Sequence, residues 1–163
     1  MNNSQVQQQL DDCAVDLAQV ATIVTGLGIG SNIVPYLTKY AIIRACGVIE
    51  QSFKSVIADH CSHRSKKQVK QFLTRRIRDG SANPSFDNMC RFLGDFDDDW
   101  KSEFKAKLAH ESNKSQLLTS LQSLVDARND FAHGGNPSAS LGDVTRYFTD
   151  ARRVIELMDQ VVS

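Results

Sequence analysis

Apolar side chains recur along most of this chain at alternating steps of three and four residues, which is the spacing of amphipathic helices. The first such segment predicts a helix from about residue 4 to 25, which the glycine-rich tract from Thr25 to Gly30 ends. The last segment follows Ser140, a suitable N-cap residue, and its apolar positions are Val144, Phe148, Ala151, Ile155, Met158 and Val162. Nothing in the pattern predicts a strand.

The same spacing predicts further helices in the middle of the chain. Ser31 or Asn32 can cap a second helix, which has Pro35 in its first turn and runs to about residue 62. Its inward-facing positions are Leu37, Ala41, Ala45, Val48, Ile49, Phe53, Val56 and Ile57. A third, strongly basic helix contains Val69, Phe72, Leu73 and Ile77 and ends at Asp79-Gly80.

Three more segments complete the prediction. A shorter pair of helices contains Met89 and Leu93 in one and Trp100 and Leu108 in the other, and aspartates cap the second of them. A helix from about residue 114 to 133 ends at Gly134-Gly135. With 163 residues, the sequence predicts one all-α domain over 1–163, an up-and-down bundle of about five to seven helices.

Composition adds two expectations about where the protein works. The N-terminus has no signal-peptide pattern and no apolar stretch is long enough to span a bilayer, so we expect a cytoplasmic protein without a membrane partner. The four cysteines are widely spaced, which predicts reduced and mostly buried thiols.

Charge is balanced overall but unevenly distributed. The chain has 19 basic and 19 acidic residues, yet no acid lies between Asp59 and Asp79. That stretch contains Arg64, Lys66, Lys67, Lys70, Arg75, Arg76 and Arg78. A basic helix of this kind suits contact with RNA phosphates, and a merely solvated helix is the alternative.

The segment Arg128-Asn129-Asp130-Phe131-Ala132-His133 lies at the end of a predicted helix and carries the residue types that metal-independent RNA cleavage needs. A histidine can move protons between the 2′-hydroxyl and the leaving oxygen, and an arginine can neutralise charge growing on phosphorus. Residues five apart on a helix lie about 140° apart, so Arg128 and His133 should flank a site, and a second surface would be needed to enclose it. Asn129 shares a face with His133 and could orient its imidazole or contact the substrate.

These residues resemble the motif of the HEPN superfamily of helical nucleotide-binding domains, in which Arg, a polar residue and His occur in this order. The string from Arg128 to Gly135 is most similar to stand-alone bacterial HEPN-like nucleases of toxin and antiviral-defence systems. The resemblance implies a homodimer with Arg128 and His133 of both copies in one cleft, no cofactor or metal, and products ending in a 2′,3′-cyclic phosphate. It also implies that Asn129 and Asp130 assist positioning, and that an antitoxin or defence-system partner exists. One branch of toxins has a tyrosine two residues after the histidine; this chain has Gly135 there, so the resemblance does not extend to control through that tyrosine.

Alternatives to catalysis remain open from the sequence. A non-catalytic adaptor that binds RNA or a protein is one, and a surface arginine beside a histidine that only caps a helix is another. Arg44 and Glu50 on the second helix could tune the site, although a structural ion pair or solvent exposure explains them as well.

Three weaker patterns are better explained by structure than by ligands. His60-Cys61-Ser62-His63 has no partner pair at zinc-finger spacing, and Asp97-Asp98-Asp99 suits a helix cap better than a magnesium site. Gly26, Gly28 and Gly30 follow a helix at the wrong spacing for dinucleotide binding, which favours a turn.

Overall fold

The computed structural model describes residues 1–28 and 30–162, and within them the chain forms seven α-helices and no strand. The helices are α1 (Ser4–Leu27), α2 (Val34–Ser62), α3 (Lys67–Leu73), α4 (Phe86–Phe96), α5 (Asp98–His110), α6 (Lys114–Ala132) and α7 (Leu141–Val161). A π-helical turn, Thr74–Arg78, continues α3. The predicted all-α helical bundle is therefore confirmed. The expected turn at Gly26, Gly28 and Gly30 includes Ile29, which lies outside the described residues.

The core lies around α2 and α7. Helix α7 packs against α6, α2, α5 and α1, while α2 also packs against α1 and α6. The inward positions predicted for α2 are buried except Leu37, which is half-buried, and all six predicted for α7 are buried. Spacing alone therefore identified the faces of both central helices.

Side-chain caps begin α1, α4, α5 and α7. The Ser140 hydroxyl accepts from the Asp143 N–H at 3.1 Å, and the Asp143 carboxylate accepts from the Ser140 N–H at 3.1 Å, a reciprocal capping box. Asp97 caps α5, as predicted.

The predicted cap of α2 was wrong. Neither Ser31 nor Asn32 is the cap; α2 begins one or two residues later than predicted, with Ile33 at the N-cap position and no side-chain cap. The Val34 N–H donates to the Ser31 carbonyl at 3.2 Å, so Ser31 starts a preceding turn instead. Pro35 lies in the first turn, as predicted.

The four thiols are free; Cys13, Cys46 and Cys90 are buried and Cys61 is half-buried, as predicted. Within residues 1–28 and 30–162, no helix combines the length and the apolar character needed to cross a bilayer.

Candidate active site

Two glycines build the C-terminal end of α6, where the candidate motif lies. The Gly134 N–H donates to the Phe131 carbonyl at 3.0 Å and the Gly135 N–H donates to the Asp130 carbonyl at 2.8 Å, which together form a Schellman motif. Gly134 has a φ of 83°, in the left-handed region that favours glycine. A Cβ on Gly135 would lie 2.9 Å from the Asp130 carbonyl oxygen, so no side chain fits there.

This ending leaves His133 at the C-cap position with an exposed side chain. Its backbone N–H donates to the Asn129 carbonyl at 3.0 Å. Among the described residues, no partner forms a hydrogen bond with the imidazole. The ring is therefore held on a fixed backbone and is open to a ligand.

Arg128 lies on the α2 side of α6 and is half-buried. Its Nη1 donates to the Asn129 Oδ1 at 3.1 Å. Burial raises the pKa of the Cys46 thiol on α2 to about 12, while the charge of Arg128 lowers that pKa and the charge of Glu50 raises it. Arg128 thus sits beside the middle of α2, and its neighbour Asn129 contacts the guanidinium instead of the imidazole.

Asp130 points in a different direction from Arg128. Its exposed side chain lines a cavity of about 360 Å³ towards α7, together with Asp126 and Asp143. Neither Arg128 nor His133 lines this cavity. The four motif residues therefore divide between Arg128 with Asn129 on one side, His133 at the tip and Asp130 on the other.

Lys39 of α2 joins the motif to the outer face of that helix. Its Nζ donates to the Asn136 Oδ1 at 2.7 Å and lies 5.4 Å from the centre of the Phe131 ring. The same Nζ lies 6.0 Å from the centre of the Tyr36 ring. The ammonium group of Lys39 thus lies between Tyr36 and Phe131 near the end of α6.

The outer face of α2 carries an exposed apolar stripe that starts beside the motif. Its residues are separated by steps of three and four, and they are Ile33, Tyr36, Tyr40 and Ile43. Tyr36 is 72% exposed and the other three are about half exposed. A Cβ on Gly47, one further step along, would meet nothing within 4 Å. Within the described residues, no other helix covers this stripe.

Arg44 and Glu50 both form ion pairs away from the imidazole. The Arg44 Nε donates to Asp16 of α1 at 2.7 Å. Glu50 accepts from Lys54 at 2.9 Å and from the Ala82 N–H at 3.0 Å, and the Lys54 Nζ also donates to the Gly80 carbonyl at 2.7 Å. Glu50 therefore anchors the loop after the basic segment, while its charge acts on the same thiol as that of Arg128.

The basic segment lies at the opposite end of α2 from the motif. Arg78 is paired with Asp59 of α2, whereas Lys39 contacts the motif. At 1.5 Å per residue, Lys39 and Asp59 are about 30 Å apart along the helix. Within one subunit, the basic segment and the motif are therefore far apart.

Metal-ligating side chains do not converge in the described part of the chain, where no group of three or more could hold an ion. His60 instead packs its ring edge-to-face against Trp100, with ring centres 5.2 Å apart.

Residues 17–163 match the RiboL-PSP-HEPN family. The chain belongs to this HEPN family. No curated protein and no solved structure matches the chain significantly. Membership confirms the resemblance that residues 128–135 suggested, and it indicates an RNase-like or RNA-related function.

Two features of this HEPN domain were not identified from the sequence. Lys39 makes its contacts over a long sequence separation, so no local pattern could predict them. The helical spacing of Tyr36, Tyr40 and Ile43, on the side opposite the inward-facing residues, is visible in the sequence. Whether another helix covers this face is not.

Proposed function

We propose that this HEPN domain is a metal-independent endoribonuclease with Arg128 and His133 as its catalytic residues. The observation that carries the proposal is the exposed His133 on a glycine-fixed helix end, close in sequence to an arginine held by Asn129. Family membership supports RNA as the substrate.

The reaction balances with these groups alone. The imidazole of His133 takes the 2′-hydroxyl proton, the 2′-oxygen bonds to phosphorus, and the bond from phosphorus to the 5′-oxygen breaks. A protonated imidazole returns a proton to the 5′-oxygen, which leaves as a hydroxyl. The products are a 2′,3′-cyclic phosphate and a 5′-hydroxyl. Arg128 binds the phosphate oxygens while negative charge accumulates on them, and Asn129 positions its guanidinium. Asp130, which faces the cavity towards α7, takes no part in this step.

A homodimer is part of the proposal. The tip of α6 is open, and the apolar stripe of Ile33, Tyr36, Tyr40 and Ile43 adjoins it through Lys39. Steps of three and four on an exposed face suit packing against an identical helix. Because a two-fold interface places the same patch on both sides, two stripes in contact would bring both motifs close to one seam.

Cleavage of a single RNA in EDTA tests the catalytic assignment. The wild type should cut RNA and leave DNA of the same sequence intact, because DNA lacks the 2′-hydroxyl. His133→Ala should lose about 10²–10⁴ in rate. His110→Ala is the matched control, since His110 is also an exposed histidine in the last turn of a helix. An RNA that is bound but never cut would favour the non-catalytic adaptor.

Tyr40→Glu and Ile43→Glu test the dimer, because a charge on the stripe should prevent its burial. Sedimentation should show a dimer for the wild type and a monomer for each variant, with cleavage lost in parallel. Phe72→Glu, at an exposed apolar position on α3, should leave the mass unchanged. A wild-type monomer that cuts RNA would contradict the shared site.

A toxin or antiviral-defence role, in the cytoplasm and under an antitoxin or defence-system partner, completes the proposal. Expression of the wild type should arrest growth and degrade cellular RNA, while His133→Ala should not. Growth arrest by both proteins would separate toxicity from cleavage.

A further inference from the structure

The basic segment carries an exposed aromatic ring that the proposed catalytic site does not use. Phe72 is 59% exposed and Val69, three residues earlier, is 45% exposed. Leu73, the last residue of α3, is buried and fixes the orientation of the segment. The exposed apolar area is thus two side chains on one face of a short helix.

Unpaired cations precede and follow this ring along the basic segment. Arg75 and Arg76 follow Phe72 by three and four residues, which places them beside it on the helix surface. Lys66 precedes Val69 by three residues. Over residues 1–28 and 30–162, the exposed Arg64, Lys66, Lys67, Lys70, Arg75 and Arg76 form no ion pair.

The C-terminal end of the segment is also anchored to α2. Arg78 pairs with Asp59, and the buried Lys54, which is 1% exposed, donates to the Gly80 carbonyl at 2.7 Å. The Asp79 N–H donates to the Thr74 carbonyl at 2.9 Å, the wide hydrogen bond of a π turn. Such turns often occur at functional sites. Arg78 is occupied by Asp59, so we exclude it from the ligand surface.

We propose that Phe72 with Arg75 and Arg76 is a binding platform for single-stranded RNA, on which an unpaired base stacks while the arginines hold the flanking phosphates. This inference rests on the proposed function and names the substrate class. A planar ring flanked by guanidinium groups suits single strands, because their bases are free to stack and duplex bases are not.

The segment that carries the platform is paired with Asp59, which lies about 30 Å along α2 from Lys39 beside the motif, so the platform acts on strands long enough to reach both. It should therefore contribute to the binding of long RNA and not to the chemical step. A dinucleotide substrate that occupies only the catalytic site should not sense Phe72.

Binding is measured on the His133→Ala background, so that cleavage does not interfere. Fluorescence anisotropy with a labelled oligouridine should show about ten-fold or greater loss of affinity in Phe72→Ala, and Phe72→Trp should restore it. Duplex RNA should bind both proteins alike. Quenching of the new tryptophan by oligouridine, above the response of native Trp100, would report stacking directly.

The salt dependence of RNA binding tests the role of the two arginines separately. Replacing Arg75 and Arg76 with alanine should lower the slope of log affinity against log salt by about 1.4, since each phosphate contact on a single strand contributes about 0.7. Lys105→Ala with Lys114→Ala is the matched control, because it removes two exposed cations elsewhere.

Unchanged oligouridine affinity in Phe72→Ala would overturn the platform, as would a loss seen only with vesicles of anionic lipid. Dinucleotide cleavage separates this failure from failure of the proposed function. With His133 intact, a platform variant should cleave the dinucleotide at the wild-type rate. If the wild type leaves the dinucleotide intact, that result would reject the nuclease assignment and not the platform.

Discussion

The side chain of Asn129 forms its hydrogen bond with Arg128 and not with His133. Its helical position suggested that it orients the imidazole of His133, but its side-chain oxygen accepts from Arg128 at 3.1 Å. An arginine held in one rotamer meets a phosphate with less loss of side-chain entropy. Asn129 is therefore a positioning residue for the cation.

Asn129→Ala should lower kcat roughly ten-fold, the effect of losing one hydrogen bond to a charged group. The pH dependence of kcat should keep its wild-type shape, because His133 loses no side-chain partner. Steady-state kinetics across pH, with Asn113→Ala at the exposed start of α6 as the control, distinguish this role. A displaced pH profile would instead assign Asn129 to the imidazole.

The position of individual residues could be predicted from the sequence where it depends on close sequence neighbours. The motif from Arg128 to His133 and the glycines after it follow from helix-end chemistry, and the structure places them at that end. Which way each side chain turns could not be predicted, because Asp130 faces a cavity near α7 and Arg128 faces α2. Those directions depend on neighbours that are distant in sequence.

Among the helices, the end of α6 determines whether the motif is held in place. The Schellman motif requires Gly135 to approach the Asp130 backbone more closely than any side chain permits. Helix termini set by local chemistry were predicted correctly here and at Ser140. The start of α2 was not, because an additional turn precedes it.

Gly135→Ala should destabilise the fold and reduce cleavage, since its Cβ would lie 2.9 Å from a backbone oxygen that cannot move alone. Gly26→Ala is the matched comparison, because its Cβ meets nothing within 4 Å and α1 is regular there. That substitution should stabilise the protein by roughly 0.5–1 kcal/mol. Thermal unfolding of both variants checks the contrast, and equal melting temperatures would refute the steric argument.

The whole molecule is a helical bundle whose interior was more predictable than its surface. Periodicity identified the buried faces of α2 and α7 because burial follows the repeat of the helix. The exposed stripe on α2 and the exposed Phe72 depend on which surfaces the other helices leave uncovered. The separation between the basic segment and the motif likewise follows from tertiary packing.

Buried thiols give the whole fold a pH dependence. Burial raises the pKa of Cys13 to about 11 and that of Cys46 to about 12, from an ordinary value of 9.0. Above that ordinary value the unfolded chain loses thiol protons that the folded chain keeps, so stability falls as pH rises. Each thiol should lower the free energy of unfolding by about 1.4 kcal/mol per pH unit in this range.

Urea unfolding at a series of alkaline pH values measures this effect. The double variant Cys13→Ala and Cys46→Ala, although less stable overall, should show a clearly smaller slope with pH than the wild type. Equal slopes would mean that other groups cause the alkaline loss.

The most direct test of the central claim is the chemical identity of the ends that this protein leaves on RNA. Wild-type protein and His133→Ala are incubated with one defined single-stranded RNA in EDTA, and the fragments are identified by mass. The account predicts 2′,3′-cyclic phosphate and 5′-hydroxyl ends from the wild type and no fragments from the variant. Fragments with 5′-phosphate ends, or equal cleavage by His133→Ala, would contradict it.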